Sequence, residues 1–361
     1  RGSSMPAPGT SPAPHAHSSE EIKKHVNIPV ATVARINEPW MAEELIANEK
    51  CDMCMIGRPN LCDSEFANKA FEGKVDDIRP CIGCGRCLTD IMMGKRIGCT
   101  VNPSVEDDTI EPAETKKKVL VIGGGPAGME AAYVAKKRGH EVVLCEKSNE
   151  LGGQLRLAAV PIAKQELCKV IKFMIRRLDH EGVEVRLNTE VTKEMLENEF
   201  KDYEIVCSSG ATPKEIPPFK VFKNWMTADD VLSGKKYPGR NIVVLGGGSV
   251  GCETADYLAP LINDLFPMNR KITLLEMTNN LMPGEGGAAK SRLTQRLMQK
   301  GVRIELNAQV TSVDENTITY VKEGVEHKLT EADTLISQSV MRLRKWKWKQ
   351  KMYTILGIVK K

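Results

Sequence analysis

A glycine-rich turn that follows a buried strand occurs twice in this chain of 361 residues. The segment "KVLVIGGGPAGMEAA" begins at Lys118, and "NIVVLGGGSVGCETA" begins at Asn241. In each copy an aliphatic strand pattern precedes three spaced glycines, and a helical pattern and a second apolar strand follow. This duplication predicts an α/β protein with two nucleotide-binding domains built on parallel sheets.

The three glycines of each G-x-G-x-x-G turn serve different purposes. The first permits the tight turn, the second lets the backbone approach a pyrophosphate, and the third lets the helix pack closely against the strand. The free N–H groups at the start of the following helix can then bind phosphate oxygens. The predicted dinucleotide contacts are Gly123, Gly125 and Gly128 in the first copy and Gly246, Gly248 and Gly251 in the second.

An acidic residue ends the second strand of each copy. Glu146 lies 18 residues after Gly128, and Glu276 lies 25 residues after Gly251. A carboxylate at this place can accept hydrogen bonds from ribose hydroxyls and would repel a 2′-phosphate. Because hydride passes from a nicotinamide to a flavin, the two copies predict the pair NADH and FAD, with NADH rather than NADPH favoured beside Glu276. A solvated surface acid is the alternative for Glu276.

Four cysteines precede the first glycine-rich turn, in "RPCIGCGRCLTDIMMGKRIGCTVNP". Three of them follow C-x2-C-x2-C, and the fourth comes after eleven intervening residues. Iron–sulfur clusters take thiolate ligands from such loops, whereas zinc sites more often use two separated C-x-x-C pairs or histidine. The spacing favours a [4Fe–4S] cluster, with zinc or free thiols as alternatives. The predicted ligands are Cys81, Cys84, Cys87 and Cys99.

The region before these cysteines predicts a disordered start and one strand–helix–strand unit. Residues 1–20 are rich in Pro, Ala and Ser and lack an apolar period. Two apolar segments, "IPVATVARI" and "CDMCMIGRP", flank a helical pattern, as parallel strands joined by a crossover do. The second segment contains Cys51 and Cys54. Since residues three apart on a strand point to opposite faces, we interpret this pair as packing.

Composition and charge argue against several other classes. The 11 cysteines cannot all pair, and no apolar stretch has the length of a signal peptide or membrane span, so a reducing, cytoplasmic location is expected. The net charge of +4 depends on the last 21 residues, which contain eight Lys or Arg and no acid. The rest has 43 basic and 47 acidic residues, a balance of −4. We expect neither nucleic acid nor membrane as a partner.

Together these motifs resemble the iron–sulfur flavoprotein branch of the Old Yellow Enzyme superfamily, which includes 2-enoate reductase, 2,4-dienoyl-CoA reductase and trimethylamine dehydrogenase. The most specific match is "DDIRPCIGCGRC…GCTVNP" directly ahead of "KKKVLVIGGGPAGMEAA". The resemblance implies the end of a (β/α)8 barrel, a cluster segment and tandem Rossmann-like domains. The implied boundaries are 21–78 for the last two barrel strands, 79–112 for the cluster segment, 113–235 for the FAD domain and 236–336 for the NAD(H) domain.

The resemblance also implies further cofactor contacts. "VARIN" and "MIGRP" match barrel strand ends that hold the FMN phosphate, and "LGGQL" and "SSGATP" match segments beside FAD. The alanine of "VARIN" stands where relatives commonly have glycine. The residues so implied are Ala34, Arg35, Gly57 and Arg58 for FMN and Gly153, Gln154 and Gly210 for FAD.

The implied function is NADH-dependent reduction of an activated C=C bond in an unsaturated acid or thioester. In the family, electrons pass from NADH to FAD and through the [4Fe–4S] cluster to FMN. Because most of the barrel is missing, we expect this chain to be the C-terminal part of a longer enzyme. Amine oxidation in the reverse direction, a stand-alone electron-transfer module and an inactive fragment are alternatives. The substrate, the catalytic residues and any homo-oligomer stay open.

The tail at 337–361 departs from the family pattern. Where relatives continue to V-Y-x-I-G-D, whose aspartate contacts FAD, this chain has the basic run "RKWKWKQK". Back-translation with permitted codons, followed by a two-base shift, restores V-Y-D-I-G-D. We therefore predict a frameshift near residues 337–340. A basic segment for membranes or nucleic acid is the alternative.

Overall fold

The computed structural model describes residues 10–107, 109–213, 217–260, 269–285, 287–337, 341–343 and 352–353. The contacts divide the chain into two compact units. The first contains the described residues of Arg1–Ala159, Ala163–Gly210 and Lys345–Lys361, and the second those of Val160–Ile162 and Ala211–Arg344. The predicted frameshift falls on a segment that lies mostly outside the described residues, as do residues 1–9 of the predicted disordered start.

The first unit begins with a parallel strand pair. Strands β1 (Ala31–Val33) and β2 (Met53–Met55) pair in parallel, and helix α2 (Pro39–Ala47) connects them. The predicted strand–helix–strand unit is therefore confirmed. The outward side chains of this pair include Val33, Met53 and Met55, which are 46%, 49% and 60% exposed.

Helix α1 (Ala16–Lys23) corrects the expectation of disorder up to residue 20. Ala16 packs against the small cluster formed by Ile36, Leu45 and Cys51. The Ser19 hydroxyl is buried and donates to the Ala16 carbonyl at 2.8 Å. The helix has little amphipathic pattern of its own, so a tertiary contact rather than a local signal orders it.

Short helices lead from the strand pair into the cluster segment, and no strand occurs between Met55 and Lys118 among the described residues. The bounds are α3 (Arg58–Cys62), α4 (Phe66–Phe71) and α5 (Arg86–Met92), with a 3-10 turn at Val75–Asp77.

A parallel sheet forms the centre of the first unit. Its order is the short strand Met352–Tyr353, then β6, β3, β4 and β5. The strands are β3 (Lys118–Ile122), β4 (Glu141–Cys145), β5 (Glu184–Arg186) and β6 (Glu204–Cys207). The helices are α6 (Pro126–Lys137), α7 (Gln154–Ala158), α8 (Leu167–His180) and α9 (Lys193–Glu197), with a 3-10 turn at Ile162–Lys164, which straddles the division between the units.

Strand β3 is buried on both faces. Val121 packs with Met129 and Leu178 on one side of the sheet, whereas Leu120 packs with Phe200 on the other. This two-sided burial explains why the strand reads as an uninterrupted apolar run rather than as an alternating one.

The second unit repeats this topology. Its parallel strands follow the order β15 (Thr334–Ser337), β9 (Asn241–Leu245), β10 (Lys271–Leu275) and β11 (Arg303–Glu305), which matches the order β6, β3, β4 and β5 of the first unit. Strand β8 (Trp225–Thr227) pairs with the outer edge of β15. The duplication predicted from the glycine-rich turns is thus present in the strand order.

The remaining bounds complete the second unit. Its strands are β7 (Ala211–Pro213), β8 (Trp225–Thr227), β9 (Asn241–Leu245), β10 (Lys271–Leu275), β11 (Arg303–Glu305), β12 (Gln309–Val313), β13 (Ile318–Lys322), β14 (Val325–Leu329), β15 (Thr334–Ser337) and β16 (Met341–Leu343). Its helices are α10 (Ala228–Leu232), α11 (Ser249–Leu258) and α12 (Gly287–Gln299), with a 3-10 turn at Pro217–Val221. Strands β12–β14 form an antiparallel sheet, and β7 pairs with β16.

The boundary between the two units differs from the one expected at residue 235. Strand β8 pairs with β15, more than 100 residues later, and so belongs to the second sheet. The units divide after Gly210 instead. A pairing over this distance in sequence leaves no local signal from which a boundary could be predicted.

Two consecutive non-glycine residues follow β1 with positive φ. Ala34 has φ +89° and Arg35 has φ +49°. L-residues rarely adopt this region, because the Cβ atom crowds the backbone. Glycine, which has no Cβ atom, adopts this conformation without strain.

The substitution Ala34→Gly should therefore stabilise the protein. Removal of the methyl group relieves the backbone at φ +89°, and we expect the free energy of unfolding to rise by about 0.5–1 kcal/mol. Denaturant unfolding measures this change. Ala31→Gly is the matched control in extended β1, where the same change should lower stability. Equal losses in both variants would contradict the prediction.

Candidate functional site

The first glycine-rich turn connects β3 to α6. Gly123 has φ +106°, and a Cβ on Gly128 would lie 1.9 Å from the Gly123 carbonyl oxygen, so the fold requires glycine at both positions. Gly125 differs, because a Cβ there would meet nothing within 4 Å. The free space therefore lies at the start of a 12-residue helix, where a pyrophosphate would bind. This cradle fits the adenine dinucleotide predicted for it.

Glu146 holds the first turn against the neighbouring strand. Its Oε2 accepts a 2.6 Å hydrogen bond from the Gly124 N–H, and its Oε1 accepts from the N–H and hydroxyl of Ser148 at 2.9 and 2.7 Å. Burial raises the pKa of Glu146, but the hydrogen bonds from Ser148 and Gly124 outweigh burial and lower this pKa below its usual value. The group is therefore a fixed carboxylate with acceptor sites left for ribose hydroxyls.

The second turn repeats these contacts. Glu276 accepts a 2.6 Å hydrogen bond from the Gly247 N–H, and Thr278 donates to it through its N–H at 2.8 Å and its hydroxyl at 2.7 Å. Gly246 has φ +100°, and a Cβ on Gly248 would again meet nothing within 4 Å. The duplication therefore extends to individual hydrogen bonds. Gly251 is buried in α11 below this turn.

Two other segments surround the first turn. The Gly152 N–H donates to the Gly124 carbonyl at 2.9 Å, and a Cβ on Gly153 would lie 3.1 Å from Gly125 Cα. The Ser208 hydroxyl lies 2.9 Å from the carbonyl oxygens of Ile122 and Gly123. The "LGGQL" segment, in which Gln154 begins α7, therefore borders the turn. Gly210 follows Ser208 by two residues and has φ +72°.

The four predicted ligand cysteines line one cavity in the first unit. Gly83 and Gly85 have φ +61° and +78°, which curls the loop. Burial raises the pKa of the Cys81 thiol to about 11 and also raises the pKa of Cys87, while the backbone amides of Gly83 and Leu88 act in the opposite direction. The Thr100 hydroxyl lies 3.2 Å from the sulfur of Cys84. Four thiols around one cavity, with amides and a hydroxyl beside them, are a donor set that fits an iron–sulfur cluster. The cysteines are Cys81, Cys84, Cys87 and Cys99.

A fifth cysteine, Cys62, lines the same cavity, and the sequence analysis missed it. Cys99 lines this cavity beside it. The Cys62 thiol, more than the backbone amides of Asn102 and Val101 and against the effect of burial, lowers the pKa of Cys99 to about 6. The Cys99 side chain and burial raise the pKa of Cys62. No spacing rule connects Cys62 to the other four cysteines.

Residues from the strand pair hold the cluster loop. Asn37 donates to the Cys81 carbonyl at 3.0 Å, and the Arg58 guanidinium lies 3.4 Å from the Gly83 carbonyl. The Arg35 side chain is only 4% exposed, pairs with Glu166 and lies against Gly83. Both arginines were expected at an FMN phosphate, with the exposed Gly57 and with Ala34. Both contact the cluster loop, and FMN binding at these residues stays a prediction.

Other side chains support neither a zinc ion at the four cysteines nor a metal ion at Cys51 and Cys54. Among the described residues, no three His, Cys, Asp or Glu side chains gather as a single-ion site would require. The sulfur atoms of Cys51 and Cys54 lie 3.8 Å apart. The prediction that they face opposite ways is wrong, because Cys51 precedes β2.

Comparison with known proteins agrees with this geometry. Residues 117–339 match the family model described as pyridine nucleotide-disulphide oxidoreductase. The chain belongs to this family, whose paired domains form a flavin- and NAD(P)H-dependent redox module. In the part of the chain that the structure describes, no helix is long and apolar enough to cross a membrane.

Individual relatives confirm the narrower resemblance to flavoproteins of the 2-enoate reductase and Old Yellow Enzyme type. Cinnamate reductase of Clostridium sporogenes is 37% identical over 73% of this chain and 39% of its own length. Bilirubin reductase of Mediterraneibacter gnavus is 35% identical over 90% of this chain and 50% of its own length. A 2-naphthoyl-CoA reductase structure matches with a TM-score of 0.86 and 27% identity over 94% of this chain and 51% of that one. The chain thus spans about half the length of such relatives, or less.

Two glycine substitutions should separate folding from nucleotide binding. Gly125→Ala adds a methyl group in open space at φ −72°, so the protein without FAD should keep its stability, while FAD binding weakens by more than about tenfold. Gly128→Ala overpacks the turn and should lower the free energy of unfolding by about 1–3 kcal/mol. Denaturant unfolding and FAD titration measure the two effects. Equal destabilisation by both variants would refute the assignment of Gly125 to nucleotide binding and of Gly128 to folding.

Proposed function

We propose that this chain supplies the NADH-binding, FAD-binding and [4Fe–4S]-binding part of an enzyme that reduces activated C=C bonds. The observation that carries the proposal is the cavity lined by Cys81, Cys84, Cys87 and Cys99, in the same compact unit as the first glycine-rich turn. A cluster can accept single electrons from a reduced flavin, which a zinc ion cannot do.

Each unit has a separate task in this proposal. The second unit binds NADH, with the phosphates at the start of α11 and the ribose at Glu276. The first binds FAD in the same manner at α6 and Glu146. When bound, the two cofactors and the cluster supply hydride acceptance and single-electron transfer. The protein groups orient the cofactors, and the N–H and hydroxyl donors around the cysteines stabilise the thiolate ligands.

The substrate class follows from the relatives. Cinnamate reductase and 2-naphthoyl-CoA reductase are named for an unsaturated acid and an unsaturated thioester, which supports a small molecule with an activated C=C bond as substrate of the whole protein. That reaction would require FMN and a closed barrel. The described residues provide two of the eight strands that such a barrel needs.

The experiment that tests the proposal follows NADH oxidation under anaerobic conditions. The chain, reconstituted with FAD, iron and sulfide, should contain about four irons, and NADH should bleach the flavin and give a reduced-cluster signal by electron paramagnetic resonance. Cys84→Ser should lose the iron and the cluster signal but keep flavin bleaching. The matched control, Cys168→Ser, changes an exposed cysteine outside the cavity and should behave as the unmodified chain does.

Two results would overturn the proposal. Stoichiometric zinc without acid-labile sulfide would remove the cluster. A cluster that stays oxidised in NADH-treated protein whose flavin is fully reduced would remove the electron transfer between the two groups.

Nucleotide preference provides an independent prediction. NADH should reduce the bound flavin faster than NADPH, because the Glu276 carboxylate would repel a 2′-phosphate. Glu276→Gln keeps an oxygen that can accept from the Gly247 N–H but removes the charge, so it should reduce the ratio of the NADH rate to the NADPH rate. Glu276→Arg should reduce this ratio further or bring it below one. Stopped-flow rates measure the effect, and equal rates for the two nucleotides in the unmodified chain would exclude this role.

A further inference from the structure

We propose that Glu285 weakens the binding of nucleotide phosphates by the second unit, so that the nicotinamide nucleotide exchanges while the flavin stays bound. This inference rests on the proposed function, because it requires NADH to bind at the second glycine-rich turn. Glu285 lies outside the G-x-G-x-x-G motif and is distinct from Glu276, which would bind the ribose.

The exposed carboxylate of Glu285 lies at the start of helix α11. Its Oε1 accepts a 2.7 Å hydrogen bond from the hydroxyl of Ser249, the first residue of that helix. The backbone N–H groups at this end of a helix attract anions and would bind the nucleotide phosphates. Gly248 directly precedes Ser249 and leaves open space, since a Cβ on it would meet nothing within 4 Å. Glu285 therefore brings a negative charge to the phosphate site.

Backbone contacts hold the loop that carries Glu285 against the turn. The Met282 N–H donates to the Gly247 carbonyl at 2.7 Å, and the Glu285 N–H donates to the Met282 carbonyl at 3.2 Å. A Cβ on Gly247 would lie 2.6 Å from Cδ2 of the buried Leu281. The place of Glu285 beside the turn therefore depends on the loop backbone as well as on the bond from Ser249.

The first unit has the same loop without the charge. The Gly152 N–H donates to the first turn at 2.9 Å, and the Leu155 N–H donates to the Gly152 carbonyl at 3.1 Å. Leu155 therefore corresponds to Glu285, and it packs against the core of the first unit. Pro126, the first residue of α6, corresponds to Ser249 and has no hydroxyl. The carboxylate and the hydroxyl that holds it are thus a pair that belongs to the second copy.

The pair has two effects on a diphosphate at the start of α11. The carboxylate repels the phosphates, and salt screens this repulsion because the group is exposed. The Ser249 hydroxyl donates its proton to Glu285, so it does not donate to a phosphate oxygen. Together the two effects should weaken binding about fivefold, chiefly through faster dissociation. A nucleotide that must leave after each hydride transfer requires such exchange, whereas a flavin that stays bound does not.

The test is a calorimetric titration of the chain with NAD⁺ and with ADP-ribose, at low and at high salt. Both ligands carry the diphosphate, and neither can reduce the flavin. Glu285→Leu introduces the residue of the first loop and should lower both dissociation constants about fivefold at low salt, with a smaller change at high salt. Glu285→Gln removes the charge but keeps an acceptor for Ser249, and it should give most of this gain. The matched control, Glu331→Gln, removes an exposed acid that follows β14 in the same unit and should leave both constants unchanged.

The outcomes separate this inference from the proposed function. If the unmodified chain binds neither NAD⁺ nor ADP-ribose, the nucleotide-binding role of the second unit fails, and the role of Glu285 fails with it. If the unmodified chain binds both ligands and neither Glu285 variant binds them more tightly, only the role of Glu285 fails. A gain in affinity that is equally large at high salt would show an effect of loop shape rather than of charge, and it would also overturn the inference.

Discussion

The nucleotide sites depend on one hydrogen bond in each glycine-rich turn. It joins the glycine that stands between the first two glycines of the motif to the acid of the neighbouring strand. Gly124 and Glu146 form it in the first unit, and Gly247 and Glu276 form it in the second, each at 2.6 Å. The bond fixes the turn to the adjacent strand and leaves the start of the helix open. In the proposed sites the same carboxylate would meet a ribose, so one interaction would align the phosphate and sugar ends of a dinucleotide.

In the first unit, a further set of contacts holds the cluster loop. Side chains beside its parallel strand pair contact the cluster loop: Asn37 at the Cys81 carbonyl, and both arginines at Gly83. Arg35 also pairs with Glu166, directly before α8 of the flavin-type fold. The loop is therefore tied to the strand pair and, through Arg35, to the start of α8 within one compact unit.

Features that depend on local sterics could be predicted from the sequence, and those that depend on distant pairing could not. The glycine-rich turns were predictable because a Cβ on Gly128 would collide with the backbone carbonyl of Gly123, only five residues earlier in the sequence. Strand β8 was not, since its partner lies more than 100 residues later. The role of Glu166 and the proximity of Cys62 to Cys99 likewise depend on tertiary packing. The opposite-face argument for Cys51 and Cys54 failed because it assumed a strand longer than β2.

The small strand pair has a consequence for the lifetime of the protein. Two strands alone are marginally stable, and the outward side chains of Val33, Met53 and Met55 leave an apolar surface. Asn37 and Arg58, which follow the two strands, contact the cysteine loop. A ligand that binds the loop only when it is folded stabilises the strands by mass action. Iron starvation would then do more than stop electron transfer, because it would favour local opening, proteolysis and aggregation of the apoprotein.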